Sequence, residues 1–214
     1  GNASVSGNIT IKGGVALDGT PTGAAGGANS KGVSLFVHET ARLNTLSAGS
    51  SIVLHAGQDA IINGTVVAGG IIGNTGVTWL SNGDSEVSIT AGQRIYVDSA
   101  VAASKSVSLT TTSVAGADDD VSIKVTSAGG LTAAGITSDN AGGTVVIDAK
   151  GHVELVGTII SGGHTVFTDN GSEVQWFDEE SVVNLKASGQ LHLGGQALKE
   201  SGGTVEIGAT IRAN

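Results

Sequence analysis

The chain has 214 residues, among them 35 glycines, a single proline (Pro21) and no cysteine or methionine, and aromatic residues make up only 3%. Without cysteine it forms no disulfide framework and no thiolate-ligated metal centre. A formal net charge of −9 disfavours nucleic acid and anionic lipid as partners, because both demand cationic neutralisation.

Glycine at this level without a G-X-Y triplet argues against collagen, and regular apolar alternation argues against disorder. No run reaches the roughly 18 apolar residues of a membrane-spanning helix. No cationic-plus-apolar leader opens the chain at Gly1, so the expectation is a segment of a longer protein. Apolar positions recur with a period of 2 between glycine-rich corners, which predicts an all-β chain of many short strands.

In chain order, Ile9/Ile11 and Val15/Leu17 with Gly19 form an early repeat. Residues 20–31, TPTGAAGGANSK, hold the proline and read as a loop. Val33/Leu35 and Ala41/Leu43 form the next repeat. Residues 49–70, GSSIVLHAGQDAIINGTVVAGG, are the clearest one. They contain three alternating pairs, Ile52/Leu54, Ala60/Ile62 and Val66/Ala68, with corners at Ala56-Gly57, Gly64 and Gly69-Gly70. The same frame returns 35 residues later as Val87/Ile89, Ala91-Gly92, Ile95/Val97 and Val101/Ala103. At 93 residues it gives Val145/Ile147, Ala149, Val153/Leu155, Gly157 and Ile159. At 131 residues it gives Val183/Leu185, Ala187, Leu191/Leu193, Gly195 and Ala197. Looser frames hold Ile71/Ile72 with Val77/Trp79, Val107/Leu109, Val121/Ile123/Val125 with Leu131/Ala133, Val166 with Val174/Trp176, and Val205/Ile207.

Repeat starts near residues 9, 33, 52, 71, 87, 107, 121, 145, 166, 183 and 205 predict 11 coils of about 20 residues. Three strands per period fit one turn of a parallel β-solenoid, each strand pairing with its equivalent one period later. Coils about 4.8 Å apart would make a rod of roughly 50 Å. One coil cannot bury its apolar face alone, and stacking supplies the core. The corner glycines are expected at φ > 0, and the alanines beside them to suit a narrow cross-section. Residues 1–214 are expected to be one β-helix segment with loop insertions near 20–31, 113–120 and 168–181. Residues 138–143 read as a further polar corner loop.

Function in such a fold is expected in the excursions from the repeat. Trp176, Phe177, Asp178, Glu179 and Glu180 join an aromatic platform to carboxylates, the groups used in sugar stacking and glycosidic chemistry. They are the candidate ligand-binding residues; as an alternative, the aromatics cover one end of the core or a loop base. Asp118-Asp119-Asp120 reads as a solvated acidic loop, because adjacent carboxylates on an extended chain do not converge on a cation. No metal, cofactor or catalytic residue is expected. His38, His55, His152, His164 and His192 fall in no metal-binding spacing, and His55, His152 and His192 occupy outward or corner positions. There is no G-x-S-x-G elbow and no phosphate-binding loop. Thr110-Thr111-Thr112 is a single run and not a ladder.

The frames SIVLHAGQDAIINGTVVAGG, EVSITAGQRIYV and TVVIDAKGHVELVGTIISGG resemble the repeats of filamentous haemagglutinin-like exoproteins, over roughly residues 33–211. The resemblance implies a right-handed parallel β-helix, exported by two-partner secretion and displayed on a Gram-negative cell or released. It implies a non-enzymatic adhesin shaft, or the stalk of a cytolysin or contact-dependent toxin. The implied partners are a host or neighbouring cell-surface glycan or protein, and an outer-membrane transporter during secretion. The Asn-Pro motifs of the family's secretion domain are absent here, so the export signal is not expected in this segment. Two other readings stand beside it. One is a polysaccharide-active β-helix of the lyase or tailspike type, which needs acids, bases and aromatics aligned at matching repeat positions; they are expected not to be. The other is a spacer that binds nothing.

Overall fold

In a computed structural model, the structure describes residues 3–5, 9–11, 15–19, 34–73, 76–79, 83–113, 121–126, 136–138, 142–168, 171–176, 181–193, 198–200, 203–205 and 210–213. Every element among them is a β-strand. Most of the strands form three parallel sheets. The first runs Val15–Gly19, Ser51–Ala56, Glu86–Ala91, Ser106–Thr111, Thr144–Ala149 and Val182–Ala187. The second runs Ala3–Val5, Leu35–Val37, Asp59–Ile62, Arg94–Val97, Ser122–Val125, His152–Leu155 and Leu191–Leu193. The third runs Ile9–Ile11, Arg42–Thr45, Thr65–Ala68, Val101–Ala103, Ile136–Ser138, Thr158–Ser161 and Thr210–Ala213. The chain visits first, second and third sheets in turn, so equivalent positions stack on one another.

The register reproduces the frame of residues 49–70 at its displacements by 35 and 93 residues. Ile52 is flanked by Val15 and Val87, and the row continues through Val107 and Val145 to Val183. Ala60, Ile95, Ile123, Val153 and Leu191 form the matching row of the second sheet. Val66, Val101, Ile136, Ile159 and Ile211 form that of the third. Successive side chains alternate across a strand, so one residue of each pair enters the core. Ile52, Leu54, Ile62, Ile89, Leu109, Ile136, Ile147 and Leu155 are each 0% exposed. Ala68 and Ala103, inward beside a corner, are also fully buried.

The corner between the third and first sheets is polar inside. Thr45 and Ser50 share a 2.5 Å hydroxyl hydrogen bond, and the Ser50 N–H donates to Ser85 Oγ. The Ser85 N–H donates to Ser104 Oγ, and Ser104 Oγ donates to Gly83 O at 2.6 Å. Ser138 Oγ donates to Lys105 O and accepts from the Thr144 N–H. These small hydroxyls pair with one another and add to the backbone hydrogen bonds of the turn, so buried polar groups at the corner have partners.

Corner glycines serve two purposes, where the sequence suggests one. Gly69 and Gly162 do adopt φ of 77° and 75°, a region that L-residues with a Cβ seldom occupy. Gly92 and Gly151 do not. A Cβ on Gly92 would run into the carbonyl of Gly57 one rung below, and one on Gly151 into that of Val121. Close rung-to-rung approach, not φ, requires glycine there.

Among the described residues three antiparallel hairpins interrupt the stack: Gly70–Gly73 with Gly76–Trp79, Gly163–Thr168 with Gly171–Trp176, and Leu198–Glu200 with Gly203–Val205. They account for some of the expected repeat starts. The starts near 71, 166 and 205 are hairpin strands, and those near 9, 33 and 121 lead into strands of the third and second sheets. Among the described residues the three parallel sheets contain six or seven strands each. Period-2 alternation marks a strand, but it does not tell a rung paired to its neighbour from a strand paired to its own return. In the third sheet Ile211 lies beside Ile159; Gly195 and Ala197, where the frame continues, lie outside the described residues. Part of the insertion expected at 168–181 is a strand, Gly171–Trp176. Residues 20–31, 114–120, 131, 133 and 177–180 lie outside the described residues.

Candidate functional site

The outer face of the second sheet brings acidic, basic and aromatic residues together beside an open groove. Alternation in its strands turns Ala60/Ile62, Ile95/Val97, Ile123/Val125 and Val153/Leu155 inward. The intervening residues face out, and parallel pairing places them in two rows. One row is Asp59, Arg94, Ser122 and His152; the other is Phe36, Ile61, Tyr96, Lys124, Glu154 and His192. Row neighbours sit about 4.8 Å apart by the geometry of a sheet.

Opposite charges meet across adjacent rungs. Arg94 holds Asp59 in a two-pronged contact, Nε to Oδ1 at 3.1 Å and Nη2 to Oδ2 at 2.8 Å. Lys124 Nζ donates to Glu154 Oε1 at 3.0 Å. The Arg94 side chain is 49% exposed and that of Asp59 9%, so solvent screens the pair, whose contribution to stability is at most about 1 kcal/mol. Its main effect is to hold the guanidinium in one orientation. Between the pairs lies an open groove of about 320 Å³, lined by Asp59, Ile61, Arg94, Ile95, Tyr96, Ser122 and Lys124.

This overturns one expectation. Acid, base and aromatic residues are aligned at matching repeat positions, on the second sheet. The signal was present in the frame itself: displacement by 35 residues carries Asp59 onto Arg94 and Ile61 onto Tyr96. Reading only the inward positions concealed it.

The residues singled out from the sequence are differently placed. Trp176 ends the strand Gly171–Trp176, directly across from Gly163. Phe177, Asp178, Glu179 and Glu180 lie outside the described residues, as do Asp118, Asp119 and Asp120. The first hairpin has a tryptophan at the corresponding place. Trp79 likewise ends a returning strand and faces Gly70, and a Cβ on Gly70 would meet Trp79 Cε3 and the side chains of Val77 and Val67. Gly69 and Gly162, both at positive φ, precede these two paired glycines. In the first hairpin the indole of Trp79 thus covers backbone that glycine leaves bare, and the two hairpins share the same backbone arrangement, a glycine pair with a tryptophan across from its second member.

Thr110, Thr111 and Thr112 do not share a face. Thr111 is fully buried and its Oγ1 accepts from the Lys150 N–H, while Thr112 is exposed. His55 is half-buried, and His152 and His192 are exposed; His152 Nδ1 accepts from the Gln190 N–H at 2.9 Å. On the first sheet, Asp148 lies between Lys150 at 3.4 Å and Lys186 at 3.6 Å. Among the described residues no group of three His, Asp or Glu side chains is placed to hold a metal ion. Comparison of the chain with family models, with curated proteins and with solved structures finds no match in any of the three.

Proposed function

We propose that the three sheets close into a right-handed parallel β-helix and that the chain is a structural and adhesive shaft of a secreted bacterial surface protein. The observation that carries this reading is the in-register stacking of equivalent residues in three parallel sheets. Such a stack is quasi-one-dimensional, gains rigidity with each added rung and presents repeating lateral faces. The right hand follows the rule for crossovers between parallel strands of one sheet. The resemblance of the repeats to haemagglutinin-like exoproteins supports the surface location, with a cell-surface glycan or protein as partner.

Beads coated with the 214-residue chain test the adhesive part. They should attach to cells more strongly than beads coated with an unrelated acidic protein. Equal attachment of both leaves only the spacer. Solution scattering tests the closed helix: up to seven strands in a sheet at about 4.8 Å predict a stack of roughly 30 Å along its axis. A polysaccharide-active helix is the second reading, favoured by the aligned Asp59, Arg94 and Tyr96 on an open groove. Release of reducing ends from a polysaccharide by the purified chain would replace adhesion with catalysis.

A further inference from the structure

The groove on the second sheet has a floor and a rim of different character. Ile61 and Tyr96 are adjacent in register and half-buried, so together they offer a continuous apolar strip. Tyr96 adds an aromatic face with a hydroxyl at its edge. Arg94 with Asp59 lies beside the strip and Lys124 with Glu154 continues its row, while Ser122 follows Arg94 in register and also lines the groove. Donors and acceptors thus surround an apolar centre. A pyranose has the complementary form, with a C–H face and a rim of hydroxyls that both donate and accept.

The charge pattern narrows the ligand. The carboxylate that lines the groove, Asp59, is already matched by Arg94, and Glu154, one rung beyond the lining Lys124, is matched by that lysine. An anionic sugar would have to displace one of these carboxylates against the field of a chain with net charge −9. A peptide would bind most readily by adding a strand to a sheet edge. The strands Asp59–Ile62, Arg94–Val97 and Ser122–Val125 are each paired on both sides, so no edge is open at this place. A volume of about 320 Å³ is at the small end of the range of roughly 300–1,000 Å³ for ligand clefts, and it suits one or two sugar units of a longer chain lying on the face.

We propose that the outer face of the second sheet, centred on Tyr96 and Ile61, is a binding site for an uncharged saccharide unit of a cell-surface glycan. This rests on the reading of the chain as an adhesive shaft, and it names the class of ligand that shaft takes.

The test is an array of neutral gluco-, galacto- and manno-configured oligosaccharides, with sialylated and sulfated counterparts, probed with the 214-residue chain. Neutral members should be retained, and retention should be insensitive to added salt. Tyr96→Ala should weaken it about tenfold or more, the scale of losing one stacking ring together with its buried area, while Tyr96→Phe should retain it. Ile61→Asn, which removes the other half of the floor, should give an independent loss. Circular dichroism melts of each variant separate lost binding from lost fold. Retention of anionic members only, retention unchanged in both floor variants, or capture of none overturns the site. Bead attachment to cells distinguishes the two levels. Attachment that persists without glycan retention overturns the saccharide assignment and leaves the adhesive shaft standing. Tyr96-dependent glycan retention without attachment upholds the site and overturns the adhesive role.

Discussion

The outward faces of the second and third sheets are built on the same alternation and have opposite fates. On the second, Phe36, Ile61, Tyr96, Lys124 and Glu154 remain partly open. On the third, the outward row Asn44, Val67, Ala102, Thr137 and Ile160 is no more than 4% exposed. The hairpins make the difference. Gly70–Gly73 lies against Arg42–Thr45 and Thr65–Ala68, and Gly163–Thr168 against Ile136–Ser138. Asn44 Nδ2 bridges the layers, donating to Val67 O at 3.1 Å and to Gly70 O at 2.6 Å. One sheet is therefore a middle layer and the other a surface, and only the surface is available to a ligand.

Charge insertion breaks or upholds this contrast most directly. Ile62→Asp puts an unpaired carboxylate into the common core, which should cost on the order of 4 kcal/mol in denaturant unfolding. Val67→Asp, at an outward position, should cost nearly as much, about 3 kcal/mol, because the hairpin denies it water. Ile61→Asp, also outward, should cost less than about 1 kcal/mol, since the open face lets the carboxylate stay hydrated. Similar losses for Val67→Asp and Ile61→Asp would show that the third sheet is not covered.

The inward frame was legible because parallel in-register stacking repeats one side-chain type at one position, as Ile52, Val87 and Val145 do. The covered sheet left a weaker trace. Its strands Thr65–Ala68 and Val101–Ala103 are buried at every position, and their sequences TVVA and VAA are continuous and small, as expected of strands covered on both faces. Read as alternation, Val66/Ala68 hid the outward Val67. The hairpins were illegible as hairpins because pairing direction is a property of the partner and not of the strand. Asp59 and Arg94 stand 35 residues apart, so nothing local joins them; only the rung spacing does.

Removing the cover tests the contrast from the other side. Trp79→Ala strips the indole from Gly70 and loosens the hairpin over Val67, at an expected cost of about 2 kcal/mol. Hydrogen exchange should quicken at residues 65–68 and stay unchanged at 94–97. If Trp176 plays the same part over Gly163, Trp176→Ala destabilises to a similar extent and leaves glycan retention intact. A loss of retention without a loss of stability would return Trp176 to the ligand site.

The smallest effect is expected on the first sheet, which marks the baseline for an uncovered face. His55 points outward from Ser51–Ala56, between Asp18 and Thr90 in register, and is half-buried. Its neighbour Val53, on the same face, is 41% exposed. Truncation to alanine there removes no core contact and leaves the backbone ladder intact, so the unfolding midpoint of His55→Ala should shift by no more than about 0.5 kcal/mol. A loss as large as that of Val67→Asp would mean that a further layer covers the first sheet too, and that the second sheet alone is open.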